Sequence, residues 1–178
     1  LRAIERKKCH PRSGPLDEQF EIGMFEDDDY ALRVTRAGMR IVCADDVLVH
    51  HFGDVPVDRV LGMEARGFIV AAPVAYRMGA GFIPVRKAGK LPWAVVREEY
   101  QLEYGTDKLE IHRDAIHPGE RILVIDDVLA TGGTAAATCR LVEALGGVVV
   151  GLGFLLEIEA LGGRDRLKGH LVESLARY

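Results

Sequence analysis

The most constraining stretch of this chain is Ile122-Leu123-Val124-Ile125-Asp126-Asp127-Val128-Leu129-Ala130-Thr131-Gly132-Gly133-Thr134. A continuous apolar run ends in two carboxylates. A turn of small residues then opens a helix that reaches about 145, with Gly146-Gly147 as its stop. Short apolar runs of this kind are strands buried on both faces, as parallel sheets require. The block therefore predicts a strand, turn and helix with polar groups gathered where the strand ends.

Each part of the block has a chemical use. Gly132 and Gly133 let the backbone approach an anion closely, and Thr131 and Thr134 offer hydroxyl donors. The start of the helix adds unpaired N–H groups and a partial positive charge. Residues 130–134 thus read as a cradle for one phosphate group. Asp126 and Asp127 would repel a phosphate, but they can accept hydrogen bonds from vicinal sugar hydroxyls and favour positive charge developing beside them. The spacing G-x-x-x-x-G-K-[ST] and its Lys are missing, and no G-x-G-x-x-G opens a helix, so neither common nucleotide loop is present.

The rest of the chain supplies an α/β context. Strands are expected over 59–63, 81–85, 121–125 and 148–156, with helices over 67–78 and 133–145. Strands alternating with helices imply a parallel sheet of about five strands flanked by helices, with ligands at the carboxyl ends of its strands. Between the two halves, residues 86–118 are rich in charge and Tyr, and alternation over 100–111 predicts a β-hairpin with its turn near Gly105. Long excursions of this sort are commonly lids.

Composition bounds the partners. With 178 residues, 48% apolar and 28% charged, the chain fits one domain with an appended segment. The Gly and Pro of Gly53-Asp54-Val55-Pro56 mark the boundary, giving 1–53 and 54–178. A net charge of −4 argues against a general grip on nucleic acid. Apolar stretches fall short of the roughly 20 residues that a membrane span needs. Three scattered cysteines suit a reducing cytoplasm and indicate neither a zinc site nor disulfides. None of the six histidines has metal-ligand spacing to a second His or Cys. Residues 1–10 are basic, lack the apolar core of a signal peptide and do not begin with Met, so a truncated or composite start is expected.

The block at 122–134 resembles the phosphoribosyl-pyrophosphate motif of the type I phosphoribosyltransferases. The resemblance extends over about 57–178. Gly62-Met63-Glu64-Ala65-Arg66-Gly67-Phe68, Pro84-Val85-Arg86-Lys87-Ala88-Gly89-Lys90-Leu91-Pro92, Leu102-Glu103-Tyr104-Gly105-Thr106-Asp107 and Leu109-Glu110-Ile111-His112 are similar, in order and spacing, to the adenine phosphoribosyltransferases. The resemblance implies transfer of the 5-phosphoribosyl group from phosphoribosyl pyrophosphate (PRPP) to adenine, with magnesium carried on PRPP. It implies that Arg66, Arg86, Lys87 and Lys90 meet the pyrophosphate and that Asp126 and Asp127 hold the ribose. Ala130, Thr131, Gly132, Gly133 and Thr134 would cradle the 5′-phosphate. Glu103 and Tyr104 would close over the reaction, with Glu103 the candidate for proton exchange with the purine. A homodimer is implied as well.

The segment 14–53 differs from that family. Its acidic run Glu26-Asp27-Asp28-Asp29 and His50 look like the tail of a family 2 glycosyltransferase, lacking the nucleotide-sugar half that such chemistry needs. We expect it to be catalytically inert. The family's usual hood over the base and its flanking helix have no counterpart here, which predicts a sheet face left partly uncovered. The alternatives are a PRPP-binding remnant without turnover and a fragment of a family 2 glycosyltransferase; the intact Glu103-Tyr104 hairpin favours an enzyme over the first, and the missing nucleotide-sugar half weighs against the second.

Overall fold

The computed structural model describes Phe52, 55–101 and 105–178, all within the compact unit Ala44–Tyr178. The expected glycosyltransferase-like segment, with Glu26, Asp27, Asp28, Asp29 and His50, lies outside the described residues, as do Glu103 and Tyr104.

The elements run β1 (Arg59–Met63), α1 (Gly67–Met78), β2 (Gly81–Lys87), β3 (Val95–Gln101), β4 (Thr106–His112), β5 (Arg121–Leu129), α2 (Gly133–Ala144), β6 (Val148–Glu157) and β7 (Val172–Arg177). Two short 3-10 turns, Glu159–Leu161 and Gly163–Leu167, connect β6 to β7. One seven-stranded sheet has the order β3-β4-β2-β1-β5-β6-β7. Strands β2, β1, β5, β6 and β7 are parallel, and β3 and β4 are antiparallel additions at one edge. The α/β architecture expected from the sequence, a parallel sheet flanked by helices, is present.

Each helix covers one face for reasons visible in its spacing. In α1 the buried residues Gly67, Val70, Ala71, Val74 and Ala75 recur at helical period and pack on Val60, Leu123 and Ile125. Gly79 ends α1 in the left-handed conformation, donating its N–H to Tyr76. On the opposite face α2 presents Ala135, Ala137, Cys139, Leu141 and Val142 to Met63, Leu152 and Phe154. On its own face α1 covers β1 and β5. Phe52, fully buried, fills the space above Gly151 of β6, where an added Cβ would lie 2.5 Å from its ring.

Two expectations need correction. The central strand does not stop before its acidic pair: β5 continues to Leu129, and Asp126 and Val128 pair with Phe154 and Leu156 of β6. The hairpin is also part of the main sheet, because β4 pairs with β2 through Arg86↔Glu110 and Lys87↔Leu109. The segment 102–104, expected to close as a lid, lies outside the described residues.

Candidate active site

Strands β2, β1 and β5 lie side by side and end at the same edge of the sheet. The chain leaves β1 for β2 on one side, and β5 occupies the other, so β1 and β5 flank a topological switch point. Three connections meet there: 64–66 before α1, the basic segment 86–90, and 130–132 before α2. The sheet topology thus brings together Arg66, Arg86, Lys87, Lys90, Asp126, Asp127 and the 130–134 turn.

The turn is shaped by glycines. Gly132 caps α2 with φ 75°, a left-handed conformation that disfavours any side chain. A Cβ there would also collide with the carbonyl of Gly163, and one on Gly163 would collide with the carbonyl of Ala130. The turn between β6 and β7 therefore packs directly under the turn expected to form the cradle. Val128, Leu129 and residues 130–135 line a pocket of about 70 Å³ together with Asp126 and Phe154. The N–H groups at the start of α2 and the hydroxyls of Thr131 and Thr134 give this pocket the donors that a phosphate needs.

The two aspartates differ. Burial, then the charge and hydrogen bond of Asp127, push Asp126 up to about 8, so it carries a proton at neutral pH. Asp126 also accepts the Asp127 N–H at 2.9 Å. It packs so tightly on Gly67 that an added Cβ there would sit 2.5 Å from its Oδ1. Asp127 reaches out to Arg66, with Nε to Oδ2 at 2.7 Å. The pair thus sets one largely buried carboxyl beside a second that meets the Arg66 guanidinium.

Each of the four expected pyrophosphate-binding cations meets a carboxylate. Arg66 pairs with Asp127, and Lys87 Nζ lies 3.3 Å from Asp107 Oδ2. Arg86 Nε lies 3.2 Å from Glu64 Oε2, and Lys90 binds Glu64 Oε1. Glu64 follows β1 directly, its peptide bond to Ala65 is cis, and it also accepts the Lys87 N–H at 3.1 Å. Burial raises the Glu64 carboxyl, but Lys90, the Lys87 amide and Arg86 outweigh that and hold it below the usual range. Glu110, almost fully buried on β4, accepts the Gly89 N–H at 2.9 Å and binds Arg97 Nε at 2.6 Å. The basic segment is therefore anchored by three carboxylates, Glu64, Asp107 and Glu110.

At the turn end of the β3–β4 pair, where Tyr100 faces Asp107, Tyr100 OH donates to Asp107 Oδ2 at 3.4 Å. Burial, chiefly, raises the Tyr100 phenol, and a hydrogen bond with Thr134 opposes it, so hairpin and cradle touch. Asp107 is held below its usual range, first by the Lys108 N–H and also by Lys87 and Tyr100.

Sequence reasoning named the cradle, the acidic pair and the cations. It assigned no role to Glu64, Tyr100, Asp107, Glu110 or Gly163. The adjacency of Glu64 to Arg66 and the doublet Gly162-Gly163 are the signals that were present.

Comparison with known proteins agrees with this geometry. The family model for the phosphoribosyl transferase domain matches residues 52–171. An adenine phosphoribosyltransferase of Alkaliphilus oremlandii is 52% identical over 145 residues, covering 82% of this chain and 84% of that protein. The crystal structure of the adenine phosphoribosyltransferase from Thermoanaerobacter pseudethanolicus superposes with a TM-score of 0.76 at 45% identity, covering 84% of this chain and 85% of that one. The Saccharomyces cerevisiae enzyme, solved with an imino-altritol bisphosphate and adenine, superposes with a TM-score of 0.69 at 40% identity, covering 75% of each chain. By this match over most of its length, the chain belongs to the phosphoribosyltransferase family, among the adenine phosphoribosyltransferases.

Proposed function

We propose that this chain is an enzyme that transfers the 5-phosphoribosyl group of PRPP to adenine, giving AMP and pyrophosphate and so salvaging a free purine. The observation that carries this reading is the convergence of three sets of groups at the ends of β2, β1 and β5. They match the three parts of PRPP: a phosphate cradle at 130–134, the sugar-facing pair Asp126 and Asp127, and cations for the pyrophosphate. The yeast relative, which holds adenine beside a bisphosphate, supports the choice of base.

In this reading Ala130, Thr131, Gly132, Gly133 and Thr134 fix the 5′-phosphate, and Asp126 and Asp127 hold the ribose hydroxyls. The bond between the anomeric carbon and pyrophosphate breaks as a purine nitrogen attacks from the opposite face. Asp127 stabilises the positive charge that develops on the sugar, and Arg66, Arg86, Lys87 and Lys90 take up the negative charge of the leaving group. The purine proton passes to Glu103, and Tyr104 helps exclude water while the lid is closed. Magnesium arrives on the pyrophosphate oxygens of PRPP as part of the substrate and neutralises further charge there. A rim of cations facing a polyanion fits an ion delivered in that way.

A homodimer is supported by the outer face of α1, where Ile69 and Tyr76 are 69% and 86% exposed and Phe82 lies nearby. The cytoplasm is the proposed setting. Burial pushes the Cys139 thiol up to about 12, so it is kept unreactive within the core.

The experiment is a competition. The chain, PRPP and magnesium are incubated with adenine, hypoxanthine and guanine together, and products are separated by chromatography. AMP alone is expected; IMP or GMP as the main product would reject adenine as the acceptor.

A further inference from the structure

We propose that Glu64 is an internal stand-in for the leaving group: it occupies Arg86 and Lys90 in the free enzyme and yields them to pyrophosphate. This inference rests on the phosphoribosyltransferase reading and assigns a residue that the reading does not use. Glu64 is a positioning residue, acting through the cations it holds.

The geometry is specific. The Glu64 side chain is only 9% exposed and has three partners. Arg86 Nε lies 3.2 Å from Oε2, the Lys87 N–H donates to the same oxygen at 3.1 Å, and Lys90 Nζ binds Oε1. A carboxylate so enclosed needs charged partners, and these two cations supply them. The Lys87 amide, a main-chain donor, can remain on Glu64 throughout. Arg86, which also donates to the Lys90 carbonyl at 3.1 Å, and Lys90 are part-exposed and can turn toward a ligand at the same rim. One carboxylate faces two cations, so the cluster retains a surplus positive charge that attracts a polyanion before any pair breaks. A multiply charged ligand can compensate for the broken pairs more fully than a monoanion. Displacement of Glu64 would thus tune both capture of PRPP and release of pyrophosphate.

The test is calorimetric binding of magnesium pyrophosphate to the full chain and to Glu64→Gln. The variant keeps a side-chain acceptor for the Lys87 N–H and removes the competing charge. Glu173→Gln, on β7, controls for the loss of one charge. Pyrophosphate should bind Glu64→Gln on the order of 10-fold more tightly, with slower turnover where product release limits the rate, and Glu173→Gln should match the parent. Unchanged or weaker binding to a folded Glu64→Gln would overturn the proposal. So would a crystal structure of the parent with pyrophosphate in which Arg86 and Lys90 both remain on Glu64, an arm that needs no variant to fold. Failure of the parent to bind pyrophosphate at all would reject the underlying reading as well, which separates the two failures.

Discussion

Arg66 Nε lies 2.7 Å from Asp127 Oδ2, joining the loop after β1 to the end of β5 across the gap where the sugar is expected. In the proposed function the contact puts a cation for the pyrophosphate beside the carboxylate that stabilises the sugar. Replacing Arg66 with Lys should lower kcat/KM for PRPP by on the order of 10-fold or more, because an ammonium cannot hold a carboxylate and a phosphate oxygen in one plane. Steady-state kinetics with varied PRPP check this, and a melting temperature within a few degrees of the parent shows that the fold is kept.

The packing of Gly132 on Gly163 makes the cradle sensitive to a residue outside its own motif. An added methyl at Gly163 would collide with the carbonyl of Ala130. Gly163→Ala should therefore raise KM for PRPP at least 10-fold, with a stability loss of about 1–3 kcal/mol from overpacking. Titration with PRPP and denaturant unfolding measure the two effects separately.

Asp126 gives a pH signature. In the folded chain it keeps its proton up to about pH 8, whereas an unfolded aspartate loses it near pH 4. The folded state binds more protons in that window, so this group's stabilising contribution is complete below about pH 4 and is lost as pH rises through 8. Asp127 and Arg66 face it, and Asn at 126 can still accept the Asp127 N–H. Asp126→Asn should melt several degrees above the parent at pH 8.5, with the gap closing toward pH 4. Thermal unfolding across that range checks the slope.

Phe52 fills the sheet face above Gly151. Phe52→Ala should cost about 3–5 kcal/mol, the usual range for emptying a buried aromatic site, and Gly151→Ala should also destabilise by overpacking the same contact. The double variant should cost less than the sum of the two, because the methyl then enters the space the ring has left.

Much of this was legible in the sequence where local signals and long-range structure agree. The spacing 67, 70, 71, 74, 75 and the stop at Gly79 define α1, and the apolar run 122–125 marks the sheet centre. The end of β5 was misplaced because Asp126 interrupts the apolar pattern, while its backbone still pairs with Phe154 of the neighbouring strand. Glu64 went unassigned for a related reason: Arg86 and Lys90 lie 22 and 26 residues further on, and only the pairing of β1 with β2 brings them to it. Gly163 likewise becomes part of the cradle only once β6 lies beside β5. The roles of Glu103 and Tyr104 rest on the resemblance.

The most direct measurement is magnesium-dependent release of pyrophosphate from PRPP on addition of adenine, for the parent and for Asp127→Asn. The account predicts turnover with adenine and little with hypoxanthine, guanine or orotate. It also predicts a loss of about 100-fold or more in the variant, the scale expected when a group that stabilises transition-state charge is removed. Folded parent protein that binds PRPP but releases no pyrophosphate with any base, or a variant as fast as the parent, would contradict it.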